Sequence, residues 1–320
     1  MPKVSIIIPN YNHARFLKKR MTSIIEQTFQ DFEMIFLDDA STDNSMGVFA
    51  EYANCEKISN VIINDKNSGN VFAQWDRGCH YAKGEYIWIA ETDDYASPEF
   101  LENMVEKLDK YDWLGMAYCQ SVKVNEDGTL TGFPQPFKHS ARWTREYIND
   151  GLSECYNYLL YANTIPNASA VVMRRLCYNK VGGVPLDTHL CGDWFLWVKI
   201  LHQAGIYYSA RVQNYFRTTS SSVRTKITGT KIREDEYFKI ADYMLLQSSH
   251  DPSLMRDAAY QSARLWFERL LLGGADWRSI FKAYKKILSM YHSVIFICWL
   301  VFMFVLTFFN KSRNAISRLT

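Results

Sequence analysis

The chain has no Cys-x-x-Cys pair, no Gly-x-Gly-x-x-Gly run, no internal repeat and no low-complexity linker. Each absence removes a class of protein. Its seven cysteines, Cys55, Cys79, Cys119, Cys155, Cys177, Cys191 and Cys298, are odd in number and scattered, which fits neither a zinc site nor a disulfide framework. Without a glycine fingerprint after the first strand-like run, a Rossmann dehydrogenase is excluded. Lys+Arg 36 against Asp+Glu 34 leaves a formal charge of +2, too small to draw nucleic acid, and no nucleic-acid partner is expected. The opening Met-Pro-Lys-Val-Ser-Ile enters a strand-like run with no signal-peptide apolar stretch, so the expectation is a folded part in a reducing cytoplasm.

What is present is a large core. An apolar share of 48%, with 15% aromatic, over 320 residues predicts one large α/β domain with a smaller appendage. Residues 4–8 are a β-branched run ended by Pro9-Asn10, and helical spacing follows in Phe16, Leu17, Met21, Ile24 and Ile25. Residues 33–37 form the next strand, closed by Asp38-Asp39, after which Ser41 or Thr42 can cap a helix towards Ala53. Residues 61–63 and 86–90 give two more strands with a helical stretch between them. Ser97-Pro98-Glu99 then starts a helix to about Lys110, and residues 113–131 are strand-like with an Asp127-Gly128 turn. Residues 169–173 are a further strand and 194–204 a helix. Alternating strands and helices imply a Rossmann-like, mostly parallel sheet with helices on both faces, whose ligands bind beyond the carboxyl ends of the strands.

Polar clusters fall at those ends: Asn10-Tyr11-Asn12, Asp38-Asp39 and Glu91-Thr92-Asp93-Asp94. A solvated turn explains any one acidic pair. Two such clusters at neighbouring strand ends repel each other unless a cation lies between them. A hard divalent ion, Mg²⁺ or Mn²⁺, meets that need, as does a nucleotide diphosphate bound through it.

With these motifs in order, the chain resembles family 2 of the inverting glycosyltransferases, whose catalytic domain has the GT-A fold. The matching stretches are Val4-Ser-Ile-Ile-Ile-Pro-Asn-Tyr-Asn12, Leu37-Asp-Asp-Ala-Ser-Thr-Asp43, Ala82-Lys-Gly-Glu-Tyr-Ile87 leading to Glu91 and Asp94, and Gly192-Asp193-Trp-Phe-Leu-Trp197, across roughly residues 4–220. The resemblance implies that Pro9 and Tyr11 line a nucleotide pocket and that Asp39 hydrogen-bonds the base, commonly uracil. Glu91-Thr92-Asp93 stands where the family has Asp-x-Asp. Asp93 and Asp94 are then the metal candidates, and Glu91, Asp93 and Arg217 contact the nucleotide sugar. Glu91 in place of Asp is a departure. So are Trp75-Asp76, where many relatives carry Arg-Asn, and Thr219, where many have His.

Asp193 is the implied catalytic base, which takes a proton from the acceptor hydroxyl as it attacks the anomeric carbon. Its place at the start of a helix also suits an N-cap. Arg217 serves as a cation for the departing diphosphate or as a surface ion pair. Asn67-Ser-Gly-Asn70 suits phosphate binding through backbone amides and helix capping equally. Trp194, Phe195 and Trp197 are core or an acceptor platform. His13, His80, His139 and His189 have no metal-ligand spacing.

The expected partners are a nucleoside-diphosphate sugar, with a UDP-sugar favoured, and a glycan or lipid-linked glycan acceptor in cell-surface polysaccharide synthesis. A non-catalytic nucleotide-sugar-binding scaffold is the alternative. Strand signals cease beyond Arg224, and residues 231–286 read as amphipathic helices. Residues 293–309 are uncharged and heavily aromatic, between Lys285-Lys286 and Lys311 and Arg313. A helix of that length extends about 26 Å, against a hydrocarbon core of ~30 Å. It is a short span, an in-plane or re-entrant membrane helix, or an oligomer contact. The expected organisation is a catalytic domain at 1–224, amphipathic helices at 225–290 and a membrane-associated helix with a basic tail at 291–320. That segment would attach the chain to the membrane at its cytoplasmic face.

Overall fold

The computed structural model describes residues 1–134, 141–165, 167–219 and 232–248, together with Ser253, Leu254, Arg256 and Gln261. The chain divides into two units, Met1–Thr228 and Gly229–Thr320. Within the first, β1 (Val4–Asn10) is buried along its whole length. A strand apolar on both faces needs cover on both sides, which the middle of a parallel sheet provides. β1 lies between β2 (Phe32–Asp38) and β4 (Tyr86–Ile89), parallel to both, and β3 (Ile58–Ile63) continues the parallel order beyond β2.

Helix α1 (Ala14–Ile25) covers one face. Its Leu17, Met21 and Ile24 share a core cluster with Val4, Ile6, Ile8, Met34 and Phe36. After α2 (Ser45–Ala50), helix α3 (Val71–Tyr81) covers the other face, where Gly78 lets it sit so close that a Cβ there would collide with Ile7 and Leu37. The alternation of side chains along β1 therefore decides which helix each residue meets.

Beyond β4 the sheet becomes mixed. β5 (Tyr95–Ala96) is a two-residue edge strand, and α4 (Phe100–Lys110) leads to β6 (Leu114–Val124). β7 (Leu130–Gly132) returns antiparallel to β6, past an Asp127-Gly128 turn where Gly128 has φ +94°. β8 (Tyr147–Asn149), α5 (Gly151–Glu154) and a π-helical turn at Cys155–Leu159 precede β9 (Val171–Arg174), which lies antiparallel between β4 and β6. α6 (Arg175–Lys180) and α7 (Gly192–Leu201) lead to β10 (Gly205–Arg217), parallel to β6. The order is β3-β2-β1-β4-β9-β6-β10-β5, with β7 on β6 and β8 on β10.

The expected α/β sheet with helices on both faces is present, parallel over its first four strands. Two local expectations change. Ser41 and Thr42 do not cap α2: the Ser41 hydroxyl donates to Asp38 at 2.7 Å, and Asp43 accepts from the Ser45 amide at 2.9 Å. The 13 residues of β10 were not expected as a strand. Its shifts of register at Ser209, Val212 and Asn214 break the even alternation that marks one.

In the second unit, α8 (Ile232–Gln247) is the described helix, with Ile240, Ala241, Met244 and Leu245 buried. Membrane attachment through residues 293–309 is corrected. Among the described residues no helix is long and apolar enough to cross a membrane, and 293–309 lie outside them. The physical reason is length and charge: α7, rich in apolar residues, spans only 10 residues inside the first unit, and α8 carries acidic and basic residues along its 16.

Candidate active site

The parallel register sets the site. Pairing of Asn10 with Asp38, and of Ile7 with Ile89, brings the ends of β1, β2 and β4 together. The Thr92 hydroxyl donates to the Pro9 carbonyl at 2.7 Å, so Pro9 is buried behind the acidic turn. Tyr11, one residue past the end of β1, is 44% exposed. Asn12 and Ala40 have φ of 55° and 59°, left-handed conformations that cost an alanine about 1–2 kcal/mol. They are held by a polar knot: the Asn10 amide group donates to Asp38 at 2.8 Å, and the Asn12 Oδ1 accepts from the Thr42 amide at 2.7 Å.

Asp39 is the centre of the next loop. Its carboxylate accepts from Asn64 at 2.5 Å, the Ser68 hydroxyl at 2.7 Å, the Ser68 amide at 2.9 Å and Gln74 at 3.0 Å. It fastens residues 64–70 to the end of β2 and is itself 5% exposed. Asn70 in that loop caps α3 by accepting from the Phe72 amide at 2.9 Å. The capping reading of Asn67-Ser-Gly-Asn70 thus has a direct bond behind it. Of the departing pair Trp75-Asp76, Trp75 reaches the site and Asp76 does not. The Trp75 indole donates to Glu91 at 2.6 Å, whereas Asp76 accepts from the Tyr178 hydroxyl at 2.8 Å.

In the acidic turn, burial is the first cause that pushes Glu91 up to about 8, and the Asp93 charge is the second. Asp94 is pushed up to about 6, again by burial and then by Asp93; Arg20, the Arg217 amide and Asn167 pull it back. Asp93 is also raised by burial, with Arg20 opposing. The two Asp94 oxygens accept from the Arg217 amide at 2.8 Å and from Asn167 at 2.7 Å. Asp93 is half-buried as a residue, Asp94 fully so.

Arg217 is 5% exposed and no surface ion pair. Its guanidinium donates to the carbonyls of Asp93 at 2.8 Å, Asn125 at 2.6 Å and Glu126 at 2.8 Å, which clamps the end of β10 to the acidic turn. Asp193 lies in the first turn of α7, where the helix N-terminus favours a carboxylate. It accepts from its neighbour's amide, Trp194 N, at 2.6 Å and from Asn163 at 3.3 Å. Trp194 and Trp197 are buried core, 5% and 0% exposed.

Four polar residues were not anticipated: Arg20, Asn163, Asn167 and Ser169. The last three lie on one short segment before β9 and touch, in order, Asp193, Asp94 and the Glu91 amide, the last at 3.1 Å. They tie the acidic turn to the start of α7. The available signal was Arg20 itself, four residues after Phe16 and four before Ile24, a charge set in an apolar helical stripe.

Among the described residues no group of three or more His, Cys, Asp or Glu side chains is placed to hold a metal ion alone. A magnesium-type ion takes one or two carboxylates and completes its shell with substrate phosphate and water. The Asp93 and Asp94 carboxylates, hard oxygen donors on one turn, fit a cation shared in that way.

Comparison with known proteins bears on the family and the fold. The chain is 27% identical over 202 residues to the chondroitin synthase of Pasteurella multocida (strain Pm70), covering 57% of this chain and 21% of that one. It spans little more than half the length, or less, of curated relatives that it matches, 56% of one and 21% of another. Its fold is that of S. aureus TarS 1-349 in complex with UDP, at a TM-score of 0.61 and 19% identity over 83% of this chain and 71% of that one. It is also that of the mannosyltransferase PcManGT from Pyrobaculum calidifontis in complex with GDP-Man and Mn²⁺, at a TM-score of 0.57 and 16% identity over 94% and 84%. The sequence model of glycosyl transferase family 2 matches residues 5–177, more than half of the chain, and the chain belongs to that family.

Proposed function

We propose that the chain is an inverting glycosyltransferase, with residues 1–224 as its catalytic domain. It transfers a sugar from a nucleoside-diphosphate sugar, UDP-linked by preference, to a hydroxyl of a glycan acceptor in polysaccharide synthesis. The observation that carries this reading is the pairing of a strand-end acidic turn with a helix-start carboxylate, Asp193, through Asn163, Asn167 and Ser169. Support comes from the polysaccharide synthase among its relatives, and from the UDP and GDP-Man complexes of proteins that share its fold.

Asp93 and Asp94 are the residues that would hold a divalent ion, Mg²⁺ or Mn²⁺, which would supply positive charge for the diphosphate when bound. Pro9, Tyr11 and Asp39 frame the nucleotide, Asp39 by shaping residues 64–70, since its own oxygens already accept from the protein. Asp193 takes the acceptor hydroxyl proton. The acceptor oxygen then bonds to the anomeric carbon from the face opposite the diphosphate, the bond from that carbon to the diphosphate oxygen breaks, and configuration inverts. Arg217 fixes the turn that faces the diphosphate.

A donor screen tests this: UDP or GDP release from a panel of nucleotide sugars, with glycan acceptors, with Mn²⁺ and with chelator. Release that needs both acceptor and metal is expected. No release from any donor, or release undiminished by chelator, contradicts the reading or its metal.

A further inference from the structure

Arg20 has no place in the chemistry just described, yet it is completely buried. It sits on the apolar stripe of α1 between Leu17, Met21 and Ile24, where the periodicity calls for an aliphatic side chain. A buried charge is costly unless it is paired and hydrogen-bonded. Arg20 makes no ion pair among the described residues, and its Nη1 has no hydrogen-bond partner. Burial pushes it down to about 10, while Asp94, Asp93 and Glu91 pull it back up, so it is a cation at neutral pH.

Its two remaining donors have specific targets. Nε donates to the Glu91 carbonyl at 2.7 Å and Nη2 to the Ser169 hydroxyl at 3.0 Å. The same hydroxyl accepts from the Glu91 amide at 3.1 Å, and the same Glu91 carbonyl accepts from the Asp94 amide at 3.2 Å. Arg20 and Ser169 therefore hold the two successive peptide units on either side of the Glu91 Cα, where β4 gives way to the acidic turn. Trp88 completes the frame: its indole donates to the Ser169 carbonyl at 2.9 Å, and its ring lies 5.5 Å from the guanidinium.

We propose that Arg20 is a positioning residue for the acidic turn: from inside α1 it fixes the Glu91 carbonyl and brings a resident positive charge to the buried side of that turn, so that the turn is already formed when the donor arrives. This role rests on the proposed donor site. Its geometry does not. Without a buried cation, the neighbouring Asp93 and Asp94 carboxylates would spread apart whenever no external cation is bound. A rigid fork on the main chain also specifies the turn where a flexible ammonium cannot. The charge acts through position and field, since Nη1 is sealed from solvent and cannot itself touch a ligand.

The test is amide hydrogen exchange on the full chain without ligand, comparing wild type, Arg20→Lys, Ser169→Ala and the exposed same-helix control Lys18→Met. Arg20→Lys keeps the charge and loses the fork. Exchange at Glu91 and Asp94 is expected to rise about tenfold in Arg20→Lys and in Ser169→Ala, with β1 and β2 amides unchanged and the control like wild type. Unchanged exchange at Glu91 and Asp94 overturns the proposal, and so does a uniform rise across the sheet. Should Arg20→Lys fail to fold, Ser169→Ala decides by the same criterion. A second readout is the KM for the donor identified by the screen, expected to rise about tenfold with the acceptor KM held within about twofold. A rise shared equally by both KM values contradicts positioning of the donor turn. If no nucleotide sugar is turned over, the functional reading falls, and the exchange result still decides what Arg20 does.

Discussion

Asn167 donates its amide to the Asp94 carboxylate at 2.7 Å, with both side chains buried. With the bond from the Glu91 amide to the Ser169 hydroxyl, it joins the segment before β9 to the acidic turn. Asn167→Asp replaces a donor by a second carboxylate against the first, in a place where Asp94 is already raised by burial and by Asp93. The expected outcome is a loss of about 1–3 kcal/mol in thermal unfolding, with donor KM raised more than acceptor KM. Asn167→Ala, which removes the donor without adding charge, should cost less in both measurements. Equal effects of the two variants would argue against the bond as drawn.

Gly192 opens α7, one residue before Asp193. A Cβ there would lie 2.5 Å from the Thr188 hydroxyl and 2.6 Å from the Phe72 ring. Gly192→Ala must push the helix start away from α3, and Asp193 with it. Destabilisation of about 1–3 kcal/mol is expected, accompanied by a fall in kcat out of proportion to any change in donor binding. Calorimetric melting and steady-state kinetics check the two parts; an unchanged kcat would mean that α7 has room to shift without moving its carboxylate.

The Trp75 indole is the one hydrogen-bond donor given by a side chain to the Glu91 carboxyl among the described bonds. Trp75→Phe keeps the buried ring, 3% exposed in the wild type, and deletes the N–H. It should cost about 1 kcal/mol of stability and raise donor KM several-fold. Donor titration by calorimetry reads this directly, and wild-type affinity in the variant would separate Glu91 from the donor site.

His202 provides a test by pH. Its Nδ1 lies 2.7 Å from the Val198 carbonyl, so it carries the proton there, and burial holds the ring below its ordinary value of 6.5. The native state favours the neutral ring. The contribution is therefore fully present above 6.5 and is lost as pH falls through that value towards the lowered one. Unfolding between pH 7 and 5 should show a shallower acid-side loss in His202→Asn, whose amide can keep the bond to Val198. Parallel curves for variant and wild type would remove His202 from the acid response.

Much of this architecture was legible from local pattern. Residues 4–8 and 33–37 are strands because both faces are apolar, and their polar ends fall together because parallel strands share a direction. The Asp127-Gly128 turn was legible because glycine supplies the positive φ it needs. β10 was not, since its register shifts interrupt the alternation. The tie between the turn and α7 was not legible either. Asn163, Asn167 and Ser169 are ordinary polar residues whose targets lie 30, 73 and 78 positions away in sequence, and only the antiparallel insertion of β9 beside β4 brings them there. Arg20 carried a signal, a charge inside an apolar stripe, but its meaning depends on the acidic turn beneath it.

The most direct measurement is nucleotide release by wild type and Asp193→Asn, made with the donor found by the screen, Mn²⁺ and a glycan acceptor, beside donor titrations of both proteins. The account predicts that the variant binds donor as wild type does and that transfer falls by about 10²–10⁴-fold. Transfer that persists at the wild-type rate in Asp193→Asn would contradict the assignment of Asp193 as the base, and with it the mechanism built on the start of α7.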